Sequence, residues 1–271
     1  MQTQVDVVIP YHEADKHVVL NAATSIIMQV GVSPIIHMVA DDCEQVFLDA
    51  FTTPIPPTTS LSPNYTQAIG SSLIYHYATP TTLGPYNIVN SLVPLFSTPY
   101  IAIQDADDIS FITRLAKQLE HLRTHVMTSG AMRQEAIEGY CGQRHLVEPV
   151  IYPGVKFPLA PSGRCINSNR TMLKSFFIDQ NGFASMLCSG DFQFDCRTAM
   201  QIPALPIYHS QEIMGIRYLR PNSLSNSKAT GNGSDIRNEC AWKVLDTVHQ
   251  MRTDPTKERS RLLGNLSSLG K

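Results

Sequence analysis

Apolar runs and helical patterns alternate along the first part of the chain. The first run, Val5-Asp6-Val7-Val8-Ile9, is rich in β-branched residues and is stopped by Pro10. Apolar residues at helical spacing follow between positions 14 and 27. This order predicts a strand, then a loop and then a helix.

The same unit then recurs, with short apolar runs that predict strands and periodic stretches that predict helices. A segment rich in Pro, Thr and Ser interrupts the series and predicts a loop. Nearly continuous apolar strands alternating with helices are typical of an α/β fold, in which a mostly parallel sheet is covered by helices on both faces. The further predicted strands are 35–40, 72–77 and 100–104, the helices lie around 47–51, 88–95 and 112–122, and the loop is 52–63.

Beyond about residue 135 the alternation weakens, and an α+β extension packed on the first part is expected. Residues 221–234 are mostly Ser, Asn, Gly and Thr, a composition that predicts a mobile loop. Such a loop can close over a substrate or be a plain surface loop. Strand-like pieces occur within 136–152 and 204–219, and helical patterns occur near 169–178, 191–200 and 235–250.

Composition and charge narrow the class of protein. The 271 residues are 43% hydrophobic and 16% charged, which suits one large globular domain. A net charge of −2 provides no field for a polyanion, which argues against a nucleic-acid partner but allows a local basic pocket for one diphosphate. The six cysteines form no CxxC pair, so reduced thiols are expected. With no signal peptide or transmembrane segment evident, a soluble, cytoplasmic protein is expected.

Three carboxylates follow the apolar run at 100–104, in the cluster Asp105-Ala106-Asp107-Asp108. Asp105 and Asp107 project to the same side of an extended chain and repel each other, and Mg²⁺ or Mn²⁺ would relieve that repulsion. The small Ala106 lets a ligand approach. The alternative is that Asp107, Asp108 or Ser110 caps a helix beginning near Ile109. The strand-end position favours a site, because open α/β sheets bind ligands outside the carboxyl ends of their strands.

A second acidic pair, Asp41-Asp42, ends another predicted strand of the same sheet. Its carboxylates are expected at the same crevice, where one of them could accept a hydrogen bond from the N–H of a nucleobase. The alternative is a solvated turn.

Several segments, taken in order, resemble a family 2-like glycosyltransferase of the GT-A fold. The order makes the resemblance more specific than any one motif, and it extends over about residues 5–200. The matching segments are Val5 to Glu13, the S-x-x-x-Q of Ser25 and Gln29, Val39 to Cys43, Tyr100 to Asp108, and Gly190-Asp191 with Arg197.

The resemblance implies a role for each matching residue. Asp105 would face the ribose, Asp107 would hold the metal, and Asp191 would be the catalytic base of an inverting transfer. The sugar would move from a nucleotide-diphosphate sugar, usually a UDP-sugar, to a glycan or other hydroxyl acceptor. The chain would be one GT-A-like domain, with its nucleotide-binding half in 1–130 and its acceptor-binding half in 131–271. The other nucleotide-sugar-binding residues would be Pro10, Tyr11, Glu13, Asp41, Asp42, Asn90 and Ala106.

The chain departs from the family pattern at three places, which leaves the donor and the placement of the acceptor open. Val89 stands where many relatives have Arg, Gly190 stands where they have Glu, and Asn181-Gly182-Phe183 stands for their G-G-F. Gly190 would leave space for an acceptor beside Asp191. A helix N-cap is the alternative role for Asp191, and the residues alone do not decide between the two.

The second half of the chain offers further candidates. His209 is a candidate metal ligand, although a lone histidine is more often structural. Arg217, Arg220 and Lys228 are candidate partners of a diphosphate. Trp242 lies in a helical pattern with apolar residues and is expected in the core, without specific support for a sugar-stacking role.

Two other functions compete with glycosyl transfer. A sugar-phosphate nucleotidyltransferase would use a similar sheet and metal carboxylates, but it normally needs a Gly-rich basic loop near the first strand, and none follows Ile9. A non-catalytic binding module could keep the fold without the chemistry, although the intact acidic cluster argues against it.

Overall fold

The computed structural model of the chain describes residues 2–43, 65–136, 145–147, 169–219 and 235–253, except residues 13, 14, 16, 187 and 200–204. It also describes the single residues 223, 228, 231 and 234. The predicted helix around 47–51 and loop 52–63 lie outside these residues. Glu13, Arg220 and most of the predicted loop 221–234 also lie outside them.

Ten strands and six α-helices make up the described part of the chain, and none of these helices is long and apolar enough to cross a bilayer. The strands are β1 (Thr3–His12), β2 (Val32–Asp41), β3 (Tyr65–Ile69), β4 (Ser72–Ala78), β5 (Tyr100–Ile103), β6 (Ile109–Ser110), β7 (Met127–Ala136), β8 (His145–Val147), β9 (Arg170–Leu173) and β10 (Ile207–Leu219). The helices are α1 (Val19–Ile27), α2 (Pro85–Leu92), α3 (Arg114–His121), α4 (Lys174–Asp179), α5 (Gly190–Ala199) and α6 (Asp235–Thr253).

The described strands form one sheet in the order β3-β4-β2-β1-β5-β9-β7-β10-β6, with β8 paired to β7. Strands β4, β2, β1 and β5 are parallel neighbours. Strand β9 is antiparallel to both β5 and β7, so β7 and its parallel neighbour β10 run in the direction of β5 again. Six strands therefore share one direction, which confirms the predicted α/β fold with a mostly parallel sheet.

The first strand shows why the sheet is buried on both faces. Side chains alternate along a strand, so Val7 and Val8 of β1 face opposite sides. Val7 packs in a core with residues of α1 and α3, whereas Val8 packs in a second core with residues of α2, α4 and α5. Helices therefore cover both faces of the sheet, as the sequence predicts.

One charged residue lies inside this apolar strand. Asp6 is fully buried, and its carboxylate accepts a hydrogen bond from the Thr98 backbone N–H at 2.8 Å and lies 2.8 Å from Nε2 of His37. Nδ1 of His37 lies 3.0 Å from the Tyr77 hydroxyl. Because buried polar groups are tolerated only when they are paired, this network fixes β1, β2, β4 and the turn before β5 relative to one another.

Two sequence expectations in the second half are wrong. The helical pattern at 169–178 is a helix only from Lys174, because Arg170–Leu173 forms β9, whose backbone fills the gap between β5 and β7. Trp242 is 70% exposed, not in the core, because α6 contacts α5 along a different stripe, where Val244 packs with Cys196.

We expect the Asp6→Ala change to lower the free energy of unfolding by about 3 kcal/mol, because it leaves the Thr98 N–H and the His37 ring without their buried acceptor. Urea unfolding followed by circular dichroism measures this. The matched control is Asp179→Ala, which removes an exposed carboxylate at the end of α4. Equal stability of the two variants would contradict the role given to Asp6.

A second stability prediction concerns acid. Burial lowers the pKa of His76 from 6.5 to about 4, so the folded state resists a proton that the unfolded state accepts. This contribution is complete above pH 6.5 and is lost as the pH falls from 6.5 towards 4. Between pH 7.5 and 5 we expect His76→Leu to lose about 2 kcal/mol less stability than the wild type. His17→Gln, at an exposed histidine, should follow the wild-type curve; a parallel fall for His76→Leu would refute the prediction.

Candidate active site

The carboxyl ends of the parallel strands meet at one edge of the sheet. His12 at the end of β1 is in register with Asp41 at the end of β2, and Ala40 is in register with Ala78 at the end of β4. The Gln104 N–H, just beyond β5, donates to the carbonyl of Val8 at 3.0 Å. The structure therefore brings the two acidic segments, Asp41-Asp42 and 105–108, to the same edge, as the sequence predicts.

The acidic cluster is compact. Ligand atoms of Asp105, Asp107 and Asp108 all lie within 4.8 Å of one another. Asp105 and Asp107 are half-buried, while Ala106 is buried between them. Asp108 is buried and accepts a hydrogen bond from the Tyr218 N–H of β10 at 3.2 Å.

The alternative that this cluster caps a helix near Ile109 is wrong. Residues Ile109–Ser110 form β6, and the next helix, α3, begins only at Arg114 with Thr113 as its N-cap. The carboxylates therefore lie in a loop between two strands, at the edge of the sheet where the parallel strands have their carboxyl ends.

The electrostatics of the cluster favour a cation. Burial and the neighbouring Asp107 raise the pKa of Asp105 from 3.8 to about 7, and Asp191 adds to the rise, whereas Arg217 and Arg114 oppose it. The set offers only oxygen donors, which Mg²⁺ and Mn²⁺ prefer. A divalent cation therefore fits the residues that are present.

A buried amide and a buried guanidinium hold the loop from beneath. Nε2 of Gln104 donates to the carbonyls of Asp105 at 3.0 Å and Asp108 at 2.8 Å, which fixes both ends of the loop. Nη1 of Arg114 donates to Oε1 of Gln104 at 2.7 Å, and Nη2 donates to the carbonyl of Ile103 at 2.7 Å. Neither Gln104 nor Arg114 is predicted from the sequence; the one available signal is a glutamine that ends an apolar run.

The S-x-x-x-Q motif has a structural use in this chain. The Ser110 N–H donates to Oγ of Ser25 at 3.0 Å. The Gln29 side chain donates to the carbonyl of Phe111 at 2.8 Å and accepts from the Leu115 N–H at 2.9 Å. These bonds tie α1 to the segment that leaves the acidic cluster.

Asp41 anchors the start of α2. Its carboxylate accepts hydrogen bonds from the Leu83 N–H at 2.8 Å, the Gly84 N–H at 2.9 Å and the Thr79 hydroxyl at 3.2 Å. A carboxylate has about four acceptor positions, so the described residues leave one of them for a ligand. The neighbouring Asp42 is exposed and adopts a φ of 57°.

Asn90 is buried, and both ends of its amide bond to Phe183: Nδ2 donates to the Phe183 carbonyl at 2.8 Å, and Oδ1 accepts the Phe183 N–H at 2.9 Å. Arg197 donates to the carbonyls of Gln180 and Gly182 in the same turn. Asn90 and Arg197 therefore stabilise the Asn181-Gly182-Phe183 turn, in which the first two residues have positive φ. A contact between Asn90 and a donor stays a prediction.

Asp191 is the second residue of α5, inside the helix and not at its N-cap position. Oδ1 of Asp191 accepts a hydrogen bond from the Tyr86 hydroxyl at 2.9 Å. A Cβ at position 190 would lie 2.7 Å from the Tyr86 ring. The space expected beside Gly190 for an acceptor is therefore filled by Tyr86, a residue that the sequence analysis missed.

The remaining residues predicted for the nucleotide lie at the end of β1. Pro10 is half-buried and pairs with Val39, and Tyr11 is buried and pairs with Ala40. Their backbone thus reaches the same edge as Asp41.

The structure does not bring His209 to the acidic cluster. Asp108 is bonded to Tyr218, whose partner on β7 is Glu135, whereas the partner of His209 is Ser129, about 20 Å earlier along β7. Nδ1 of His209 lies 2.6 Å from the Ser129 hydroxyl. Among the predicted basic residues, Arg217 interacts electrostatically with Asp105, whereas Lys228 is exposed in a turn.

Comparison with known proteins identifies the fold. No protein-family model and no curated protein matches the sequence. The structure is similar to residues 1–349 of S. aureus TarS in complex with UDP-GlcNAc, with a TM-score of 0.61 at 12% identity, covering 96% of this chain and 69% of that one. It is also similar to the mannosyltransferase PcManGT from Pyrobaculum calidifontis in complex with GDP-Man and Mn²⁺, with a TM-score of 0.54 at 9% identity, covering 82% of this chain and 59% of that one.

A longer form of TarS shows how much of the neighbour this chain spans. It matches with a TM-score of 0.56 at 11% identity over 96% of this chain but only 41% of that protein. The likeness establishes a GT-A-type glycosyltransferase fold for this chain.

Removing one carboxylate of the acidic cluster should have opposite effects on stability without and with a metal ion. We expect Asp107→Ala to stabilise the metal-free protein, because it relieves repulsion on Asp105, and to abolish the rise in melting temperature that Mn²⁺ gives the wild type. Thermal unfolding with and without Mn²⁺ measures both effects. Asp179→Ala is the matched control and should keep the Mn²⁺ response. A full response in Asp107→Ala would exclude Asp107 as a metal ligand.

Proposed function

We propose that this protein is a metal-dependent glycosyltransferase that moves a sugar from a nucleotide-diphosphate sugar, in the first instance a UDP-sugar, to a hydroxyl group of a glycan or other acceptor. One observation carries the proposal: the carboxylates of Asp107 and Asp191 both lie near enough to Asp105 to raise its pKa. The carboxylates proposed for the donor side and the acceptor side are thus close to one another, in a fold shared with enzymes solved with UDP-GlcNAc and GDP-Man.

The donor half comprises residues 1–130 in this proposal. The backbone around Pro10 and Tyr11, with Glu13, Asp41 and Asp42, would receive the nucleotide, and Asn90 and Ala106 would complete the binding site for the nucleotide sugar. Asp105 faces the ribose, and Asp107 holds Mn²⁺ or Mg²⁺. A cation bound there would stabilise the negative charge that develops on the departing diphosphate. Arg217 gives that diphosphate a second positive partner.

The acceptor half comprises residues 131–271, including the loop 221–234. Asp191 takes the proton from the acceptor hydroxyl as its oxygen bonds to the anomeric carbon and the bond from that carbon to the diphosphate breaks. Attack from the face opposite the diphosphate inverts the configuration. Support for this role comes from the half-buried position of Asp191 and from its electrostatic interaction with Asp105.

The reaction is tested by UDP release from UDP-GlcNAc in the presence of Mn²⁺, with GDP-Man as the second donor. We expect Asp191→Asn to lower the rate by at least about 100-fold, because it keeps the shape of the side chain but removes the base. The dissociation constant for UDP with Mn²⁺ should change little, since the base does not hold the nucleotide. Calorimetric titration of UDP measures this constant.

Asp195→Asn is a suitable control because it changes another carboxylate of α5, one that pairs with buried Arg170. Its rate per folded molecule should stay near the wild-type rate. Undiminished UDP release by Asp191→Asn would remove Asp191 from the reaction. Pyrophosphate release from UTP and a sugar phosphate would instead assign the site to nucleotidyl transfer.

A further inference from the structure

The Tyr86 hydroxyl is bonded to the one carboxylate in the crevice that the proposed reaction uses as a base. It donates to Oδ1 of Asp191 over 2.9 Å. Tyr86 lies on α2, which belongs to the donor half, whereas Asp191 lies on α5 of the acceptor half. The Tyr86–Asp191 hydrogen bond therefore joins the donor half to the acceptor half at the proposed base.

The tyrosine ring is fixed on several sides. Tyr86 is only 5% exposed, its ring centroid lies 5.4 Å from that of Phe183, and it occupies the space that a side chain at position 190 would need. Phe183 is itself held by both ends of the Asn90 amide. A ring this buried has little surface left for a substrate, so its contribution is to hold Asp191.

On the basis of the proposed function, we infer that Tyr86 is a positioning residue: its hydroxyl engages Oδ1 of Asp191 and holds this carboxylate for proton transfer from the acceptor. A hydrogen bond to a carboxylate restricts rotation of the side chain and therefore fixes the angle at which the base meets the acceptor hydroxyl. Gly190 contributes to this arrangement, because the absence of a side chain at this position makes room for the Tyr86 ring. The family that the chain resembles has a glutamate here.

The test is Tyr86→Phe, which keeps the ring and removes the hydroxyl. A hydrogen bond to a charged group is worth roughly a ten- to hundredfold change in rate, so kcat for UDP release from UDP-GlcNAc with Mn²⁺ should fall by about that factor. The dissociation constant of UDP with Mn²⁺ should stay within about twofold, since α2 keeps its anchor on Asp41. Parallel loss of UDP affinity and rate would overturn the inference and make Tyr86 a donor ligand or a general support.

Tyr77→Phe is the matched control. It removes a buried hydroxyl whose partner is Nδ1 of His37, 3.0 Å away, and not Asp191. Its kcat should equal that of the wild type even if its melting temperature falls. If both tyrosine variants lose rate in proportion to their stability, Tyr86 has a structural role only and the inference fails.

A double-mutant cycle with Asp191→Ala gives a readout that does not require activity. If the hydroxyl acts through Asp191, the effects of Tyr86→Phe and Asp191→Ala on the free energy of unfolding will not add, and additive effects would refute the contact. If the wild type releases no UDP from either donor, the proposed function fails, whereas this cycle still decides whether Tyr86 holds Asp191.

Position 190 offers an independent check. Gly190→Ala should lower the melting temperature because the new methyl group meets the Tyr86 ring. In a protein that already carries Tyr86→Ala, Gly190→Ala should lower the melting temperature much less. An equal effect of Gly190→Ala on the melting temperature with and without the Tyr86 ring would contradict the packing on which the inference rests.

Discussion

The site depends on keeping three like charges together at the end of one buried strand. Asp105, Asp107 and Asp108 repel one another, and their repulsion would open the loop if its backbone were free. Gln104 prevents this by bonding the carbonyls at both ends of the loop, and Arg114 holds Gln104. Burial lowers the pKa of Arg114 to about 10, while Asp108 and Asp105 oppose that change, so the guanidinium stays charged at neutral pH beneath the cluster. Gln104 and Arg114 thus hold the loop in place, while its three carboxylates still favour a cation.

A second set of contacts holds Asp191 and the turn near it. The Asn181-Gly182-Phe183 turn needs two consecutive residues with positive φ, and Arg197 and Asn90 satisfy its backbone groups from two different helices. Because Phe183 contacts Tyr86, the turn also fixes the tyrosine that bonds Asp191. The acceptor side is therefore built from contacts between distant segments, whereas the donor side is built on consecutive strand ends.

This difference explains what the sequence could predict. The strand ends at Asp41 and Asp105 follow local apolar runs, so the edge of the sheet and its acidic residues were predictable from spacing alone. The four-residue β9 was not, because its strand pairing comes from β5 and β7, which lie far from it in sequence. The metal-ligand prediction for His209 is wrong because His209 lies far along β10 from the acidic cluster. The residue type does not indicate which end of a strand a histidine occupies. Only the fold could show that Tyr86 fills the space beside Gly190.

Several residues expected to bind the nucleotide sugar also hold the fold, and this affects how their variants are interpreted. Asp41 accepts three hydrogen bonds that set the start of α2, the helix that carries both Asn90 and Tyr86. Replacing Asp41 would therefore displace the support of Asp191 as well as any contact with a nucleobase. A loss of transfer in an Asp41 variant would not by itself indicate a nucleotide contact. Asp42 is exposed beside it, so a loss of affinity in an Asp42 variant with unchanged unfolding would report the ligand directly.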